Sequence, residues 1–101
     1  MWVWALFDLP VVTKSERKRA TKFRKFLLDL GFEMVQFSVY TRFAASRELA
    51  ESYAKQIGDV VPPYGKLDVL FFTDKQFAQT QRFRGQKRIE TPGKPEQLSL
   101  F

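Results

Sequence analysis

Apolar positions along the chain fall into short runs and helical stripes that alternate. Trp2 to Phe7 is a continuous apolar run ending at Asp8-Leu9-Pro10, which reads as a buried strand and its stop. Thr13-Lys14-Ser15-Glu16 has the form of a capping box, in which each end satisfies a backbone N–H of the other. It predicts a helix from there to about Leu30, with Gly31 as the stop. Within it Ala20, Phe23, Leu27 and Leu30 repeat at three and four, with Phe26 alongside, as a core-facing stripe does. Lys14, Lys18, Lys22 and Lys25 recur at similar spacing on another face. From Phe32 to Phe43 β-branched and aromatic residues predict strand. Alternation places Glu33, Val35, Phe37, Val39 and Thr41 on one face and Met34, Gln36, Ser38, Tyr40 and Arg42 on the other. Polarity switches near Gln36-Phe37-Ser38, which signals a bend or bulge. One bent strand and two separate strands both fit.

Ser46 is placed to cap a second helix carrying Leu49, Ala50, Tyr53, Ala54 and Ile57 on one side and ending at Gly58. Val60 to Gly65 is a loop, since Pro62-Pro63 forbids a continuing helix. Lys66 to Thr73 reads as a strand, Asp74 to Phe77 as a turn or short helix, and Gln86 to Glu90 as a short strand before Pro92-Gly93. No repeat is visible. Residues 1–91 form one domain, and 92–101 a semi-apolar tail whose leucines could pair with a partner's sheet edge. Strand, helix, strand, helix, strand in so short a chain predicts an α+β, ferredoxin-like plan: an antiparallel sheet with two helices on one face.

Composition narrows the chemistry. The 101 residues suffice for one modest core, and eleven phenylalanines are more than a small domain can hide, which points to a partner over some of that surface. Without cysteine there are no disulfides or thiolate zinc sites. Without histidine the commonest general base and metal ligand are missing, so catalysis must rest on carboxylates, tyrosines, lysines or a carboxylate-bound hard cation. The apolar start is too short to span a bilayer and lacks a basic segment before it, so the expectation is a soluble, cytoplasmic protein with no membrane partner.

Net charge is +6, and its distribution matters more than its size. Between Lys14 and Lys25 seven basic residues face the single acid Glu16, an excess equal to that of the whole chain. A solvated helix face normally mixes signs; this one favours contact with a phosphate backbone through Lys14, Arg17, Lys18, Lys22 and Lys25. Arg42, Arg82, Arg84, Lys87 and Arg88 are further candidates for the same work. The aromatic residues read mostly as core, because Phe37 and Tyr40 fall on opposite faces and make no stacking platform.

Several motifs then coincide: Phe7-Asp8-Leu9-Pro10 after an apolar strand, a basic helix at once, Gln36-Phe37-Ser38-Val39-Tyr40, and Phe71-Phe72-Thr73-Asp74-Lys75-Gln76-Phe77. In this order and spacing the chain closely resembles the CRISPR-associated Cas two family, in the branch that accompanies single-protein effector systems. The resemblance runs from Met1 to about Arg88. It implies a ferredoxin-like homodimer with its sheets facing, bridging two dimers of the Cas one integrase around duplex DNA destined to become a spacer. It also implies a magnesium-dependent endonuclease centre acting on RNA or DNA, with Asp8 as the catalytic carboxylate and metal ligand. Ser38 is a candidate to contact a phosphate or position a water. The bland reading of Asp8 is a turn aspartate holding backbone N–H groups. No second acid stands beside it in sequence. A stand-alone, toxin-like endoribonuclease and a non-catalytic RNA-binding module remain alternatives.

Overall fold

The computed structural model describes residues 1–85 and, for the backbone, 87–89. The tail at 92–101 and its expected pairing lie outside the described residues, as do Gln86 and Glu90. The first strand, β1 (Trp2–Asp8), runs one residue further than its apolar run, because Asp8 still pairs with Lys66. Helix α1 (Lys14–Asp29) starts at the expected capping box. The Thr13 hydroxyl accepts from the Glu16 N–H at 3.1 Å, and the Glu16 carboxylate accepts from the Thr13 N–H at 2.8 Å. That backbone donor, foremost, holds the Glu16 carboxyl below its ordinary value. At the other end the N–H of Phe32 bonds the Leu27 carbonyl and that of Gly31 the Leu28 carbonyl, a Schellman closure. Gly31 sits at φ 94°, and a Cβ there would collide with the Arg42 guanidinium.

The segment from Phe32 to Phe43 is two strands. β2 (Glu33–Gln36) and β3 (Val39–Phe43) form a hairpin through Phe37 and Ser38, and the register slips between Met34 and Gln36, leaving Val35 as a bulge. Helix α2 (Arg47–Gly58) is capped by Ser46, whose hydroxyl accepts from the Leu49 N–H. Then come β4 (Lys66–Phe72), the short helix α3 (Asp74–Ala78) with its own Thr73–Gln76 capping box, and a hairpin of β5 (Arg82–Arg84) and β6 (Lys87–Ile89). β6 falls within the short strand expected at 86–90, whereas its three-residue partner β5 was not expected.

The main sheet is antiparallel in the order β2-β3-β1-β4, the ferredoxin-like arrangement of two interleaved halves. Val3, Ala5 and Phe7 of β1 and Tyr40 of β3 face α1 and α2 and form the core with Ala20, Phe23, Leu27, Phe32, Ala50, Tyr53 and Ile57. Successive strand residues alternate faces, so Trp2, Trp4, Leu6 and Asp8 lie on the side of the sheet away from α1 and α2. There Trp2 stacks on Phe77 of α3 at 3.9 Å, and the Arg82 guanidinium sits over the Trp4 ring at 5.6 Å. Thr41 is buried there too, and among the described residues Leu6, Asp8, Val39, Asp68 and Leu70 leave that end of the face partly or fully exposed. No helix among the described residues is long and apolar enough to cross a membrane.

Candidate nucleic-acid interface

The core positions of α1 fix where its charges go. Ala20, Phe23 and Leu27 are buried, so Lys14, Lys18 and Lys25, at positions i, i+4 and i+11, lie along the side turned away from the sheet, with Lys22 next to them. The row is about 16 Å long at the helix rise. Its members are not equally available. Lys25 pairs with Asp29 at 3.2 Å, and the Arg17 guanidinium donates to the carbonyls of Val11 and Val12, bracing the loop that leads into the helix. Lys14, Lys18 and Lys22 are exposed and make no ion pair among the described residues. Lys22 also borders, with Arg19, Phe26, Val60 and Pro62, a cleft of about 380 Å³ between α1 and the loop that follows α2.

The other basic candidates are dispersed. Arg42 shares the helix-side face of β3 with Tyr40, and its guanidinium bonds the Leu30 carbonyl that ends α1, bonds the Phe43 carbonyl at 3.3 Å, and lies 4.2 Å from the centre of the Tyr53 ring. This ties strand to both helices and leaves the side chain outside the basic row. Arg42→Ala is therefore expected to destabilise the fold by about 1.5–3 kcal/mol, the usual loss for a charge-assisted bond. Urea unfolding measures that change, and duplex affinity of the folded fraction should not move. Arg82 is half-buried against Trp4 and Phe77, and burial holds its guanidinium below its ordinary value. Its Nε and the Trp4 Nε1 are buried without hydrogen-bond partners among the described residues. Both residues line a cavity of about 490 Å³ with Val35, Gln36, Phe83 and Arg84. Arg84 is exposed, and Lys87 and Arg88 lie opposite Arg84 and Phe83 in the β5–β6 register.

Asp8 ends β1 fully at the surface. The Phe7 N–H next to it donates to the Ser38 carbonyl at 3.0 Å, so the two candidates Asp8 and Ser38 meet at one end of the sheet. The register also brings a second acid that linear reading missed. Leu6 pairs with Asp68 and Asp8 with Lys66, so Asp68 stands diagonally from Asp8 on the same open face, about 7–8 Å away by strand geometry. Only antiparallel pairing of β1 with β4 could reveal it. Among the described residues no three acidic side chains converge to hold a metal. Two exposed carboxylates nevertheless fit a hydrated magnesium ion, which commonly takes one or two carboxylates and completes its shell with water and substrate phosphate. Asp8, with Asp68 beside it, would hold such an ion. When bound it would supply Lewis acidity and a more acidic water.

The βαββαβ order, one helical layer and a surface acid at the end of β1 define a small ferredoxin-like protein with a basic first helix. The crystal structure of Streptococcus pyogenes Cas2 at pH 6.5 shares this fold, with a TM-score of 0.62 over 83% of this chain and all of that one at 15% identity. Residues 1–80 match the model of the family described as CRISPR associated protein Cas2, and the chain belongs to that family. A relative from Flavobacterium psychrophilum is 50% identical over all of this chain and 88% of its own length. Another from Parvibaculum lavamentivorans is 48% identical over the full length of both. Both relatives bear the name CRISPR-associated endoribonuclease Cas2.

Proposed function

We propose that the chain serves in CRISPR spacer acquisition as a homodimeric subunit that bridges Cas one integrase dimers across duplex DNA, without reading its sequence. The observation that carries this is the row of Lys14, Lys18 and Lys22 on the outer side of α1, unpaired among the described residues. Lysines spaced along one helix meet phosphates, and phosphates carry no direct sequence information. The open sheet face supports the dimer: Trp4, Leu6, Val39 and Phe72 are only half-buried there, and Leu70 is 42% exposed. Apolar surface of this kind on a small domain marks an interface. Packing two such faces would bring two Asp8 carboxylates and two Asp68 carboxylates toward one axis.

A second activity, magnesium-dependent phosphodiester cleavage at Asp8, has its support in the exposed acid pair and in the endoribonuclease name of the relatives. The first test is sedimentation at micromolar concentration. The wild-type chain should be a dimer, and Leu70→Lys should shift it to monomer by placing a charge in the apolar face. A wild-type monomer across that range removes both the bridge and the paired carboxylates. The second test is co-purification with the integrase, followed by insertion of a short duplex into a repeat.

A further inference from the structure

Two aromatic rings at the Asp8 end of the sheet make no ring contact among the described residues. Phe37 is 87% exposed at the tip of the β2–β3 hairpin, and Tyr64 is 94% exposed in the loop before β4. Both loops are fastened beside Asp8. Ser38, next to Phe37, takes the Phe7 N–H through its carbonyl at 3.0 Å. Tyr64 precedes Gly65 in a turn closed by the Gly65 N–H bonding the Pro62 carbonyl at 3.0 Å. Gly65 packs so closely on the residue after Asp8 that an added Cβ would stand 2.7 Å from the Leu9 Cδ2. Because β3 and β4 flank β1, the loops lie on opposite sides of Asp8, about 10 Å apart at two strand spacings.

The backbone adds an independent sign. Ser38 at φ 64° and Tyr64 at φ 63° are the two non-glycine residues with positive φ among those described, one in each loop. A bulky side chain in this region is strained, and strain of that kind gathers at functional sites. At Tyr64 it holds a ring in solvent; Ser38, which carries no ring, is the turn residue beside Phe37. Val11 and Val12, in the loop that leaves Asp8, are exposed as well. Lys66 pairs with Asp8 across the strands, and Lys14 and Lys18 open the helix that follows. Flat exposed rings at the end of a sheet that also carries Lys66 suit a polyanion that offers flat apolar faces.

We propose that Phe37 and Tyr64 are stacking platforms for the bases of an unpaired RNA or DNA strand, one on either side of Asp8. This rests on reading Asp8 as the phosphodiester-cleaving centre. Rings of this kind accept any base, while the lysines take the phosphates. A duplex keeps its bases stacked inside and cannot use them, so the platforms serve single strands and the α1 row serves duplex.

The test measures binding in EDTA, where nothing is cut, so that it stands or falls apart from Asp8 chemistry. Single strands of one sequence, made as RNA and as DNA with a 2-aminopurine reporter, are compared with the matching duplex. Phe37→Ala and Tyr64→Ala should each weaken single-strand binding about 5- to 150-fold, the range for one stacked base, and relieve quenching of the reporter. Tyr64→Phe should keep both, and duplex affinity should hold throughout. The RNA and DNA arms show which strand the rings prefer. Equal losses on duplex and single strand, or none, overturn the proposal. So does a Phe37→Ala variant that sediments as monomer where the wild type is a dimer, which would assign the ring to a protein contact.

Discussion

Replacing Lys14, Lys18 and Lys22 together with glutamate is expected to weaken duplex binding by about two to three orders of magnitude near 0.1 M salt. Each phosphate contact contributes about 0.9 to the logarithmic salt slope, so three lost contacts should flatten it by about 2.7 for each subunit that touches the duplex. Charge reversal adds repulsion to that loss. The three side chains are exposed and unpaired among the described residues, so folding does not depend on them. A glutamate at position 14 also falls in the first turn of α1, where the helix dipole favours negative charge. Affinity across a salt titration on two unrelated duplex sequences makes the measurement, and the two sequences should behave alike. Lys25 and Arg17 are left in place because the one is paired with Asp29 and the other braces the loop at Val11 and Val12. Unchanged binding would move the duplex path to the segment from Arg82 to Arg88.

The parts of this interface that were legible in sequence are those encoded over a few residues. Thr13 and Glu16 announce the start of α1, and Ala20, Phe23 and Leu27 set its inner face, from which the lysine row follows. The break near Phe37 and Ser38 was legible as a switch of polarity, but whether it bends one strand or separates two was not, because the bulge at Val35 shifts the alternation by one residue just before the turn. A period of two then continues on paper through a chain reversal. Asp68 was invisible for a different reason: it meets Asp8 only through the β1–β4 register, sixty positions along the chain. Arg42 looked like one more surface cation, yet the same alternation that buries Tyr40 also directs it toward the helices, where Leu30 and Tyr53 receive it. Counting aromatics mostly as core was right for Phe7, Phe23 and Phe77; Phe37, read as part of a strand, is instead exposed at the hairpin tip, and Tyr64 is exposed in the loop expected at 60–65.

Asp8→Asn separates the bridge from the chemistry. The amide matches the carboxylate in size, removes its charge and keeps an acceptor oxygen. Asp8 is exposed and, among the described residues, is held only by its backbone pairing with Lys66, so the sheet should be undisturbed. Magnesium-dependent cutting is expected to fall at least about a hundredfold, since even residues that merely support metal ligands cost ten- to a hundredfold when removed. Asp68→Asn should lower cutting by a smaller factor, because it stands one diagonal away and is the second carboxylate rather than the first. Dimerisation, duplex affinity and spacer integration with the partner integrase should stay at wild-type levels in both variants, because the lysines that hold the duplex lie on α1 and neither substitution touches them. The measurement is one paired assay per variant: nuclease activity beside integration, with sedimentation as the check on assembly. If integration collapses together with cutting while the dimer remains intact, the carboxylate chemistry is central to acquisition and the bridge alone does not account for the protein.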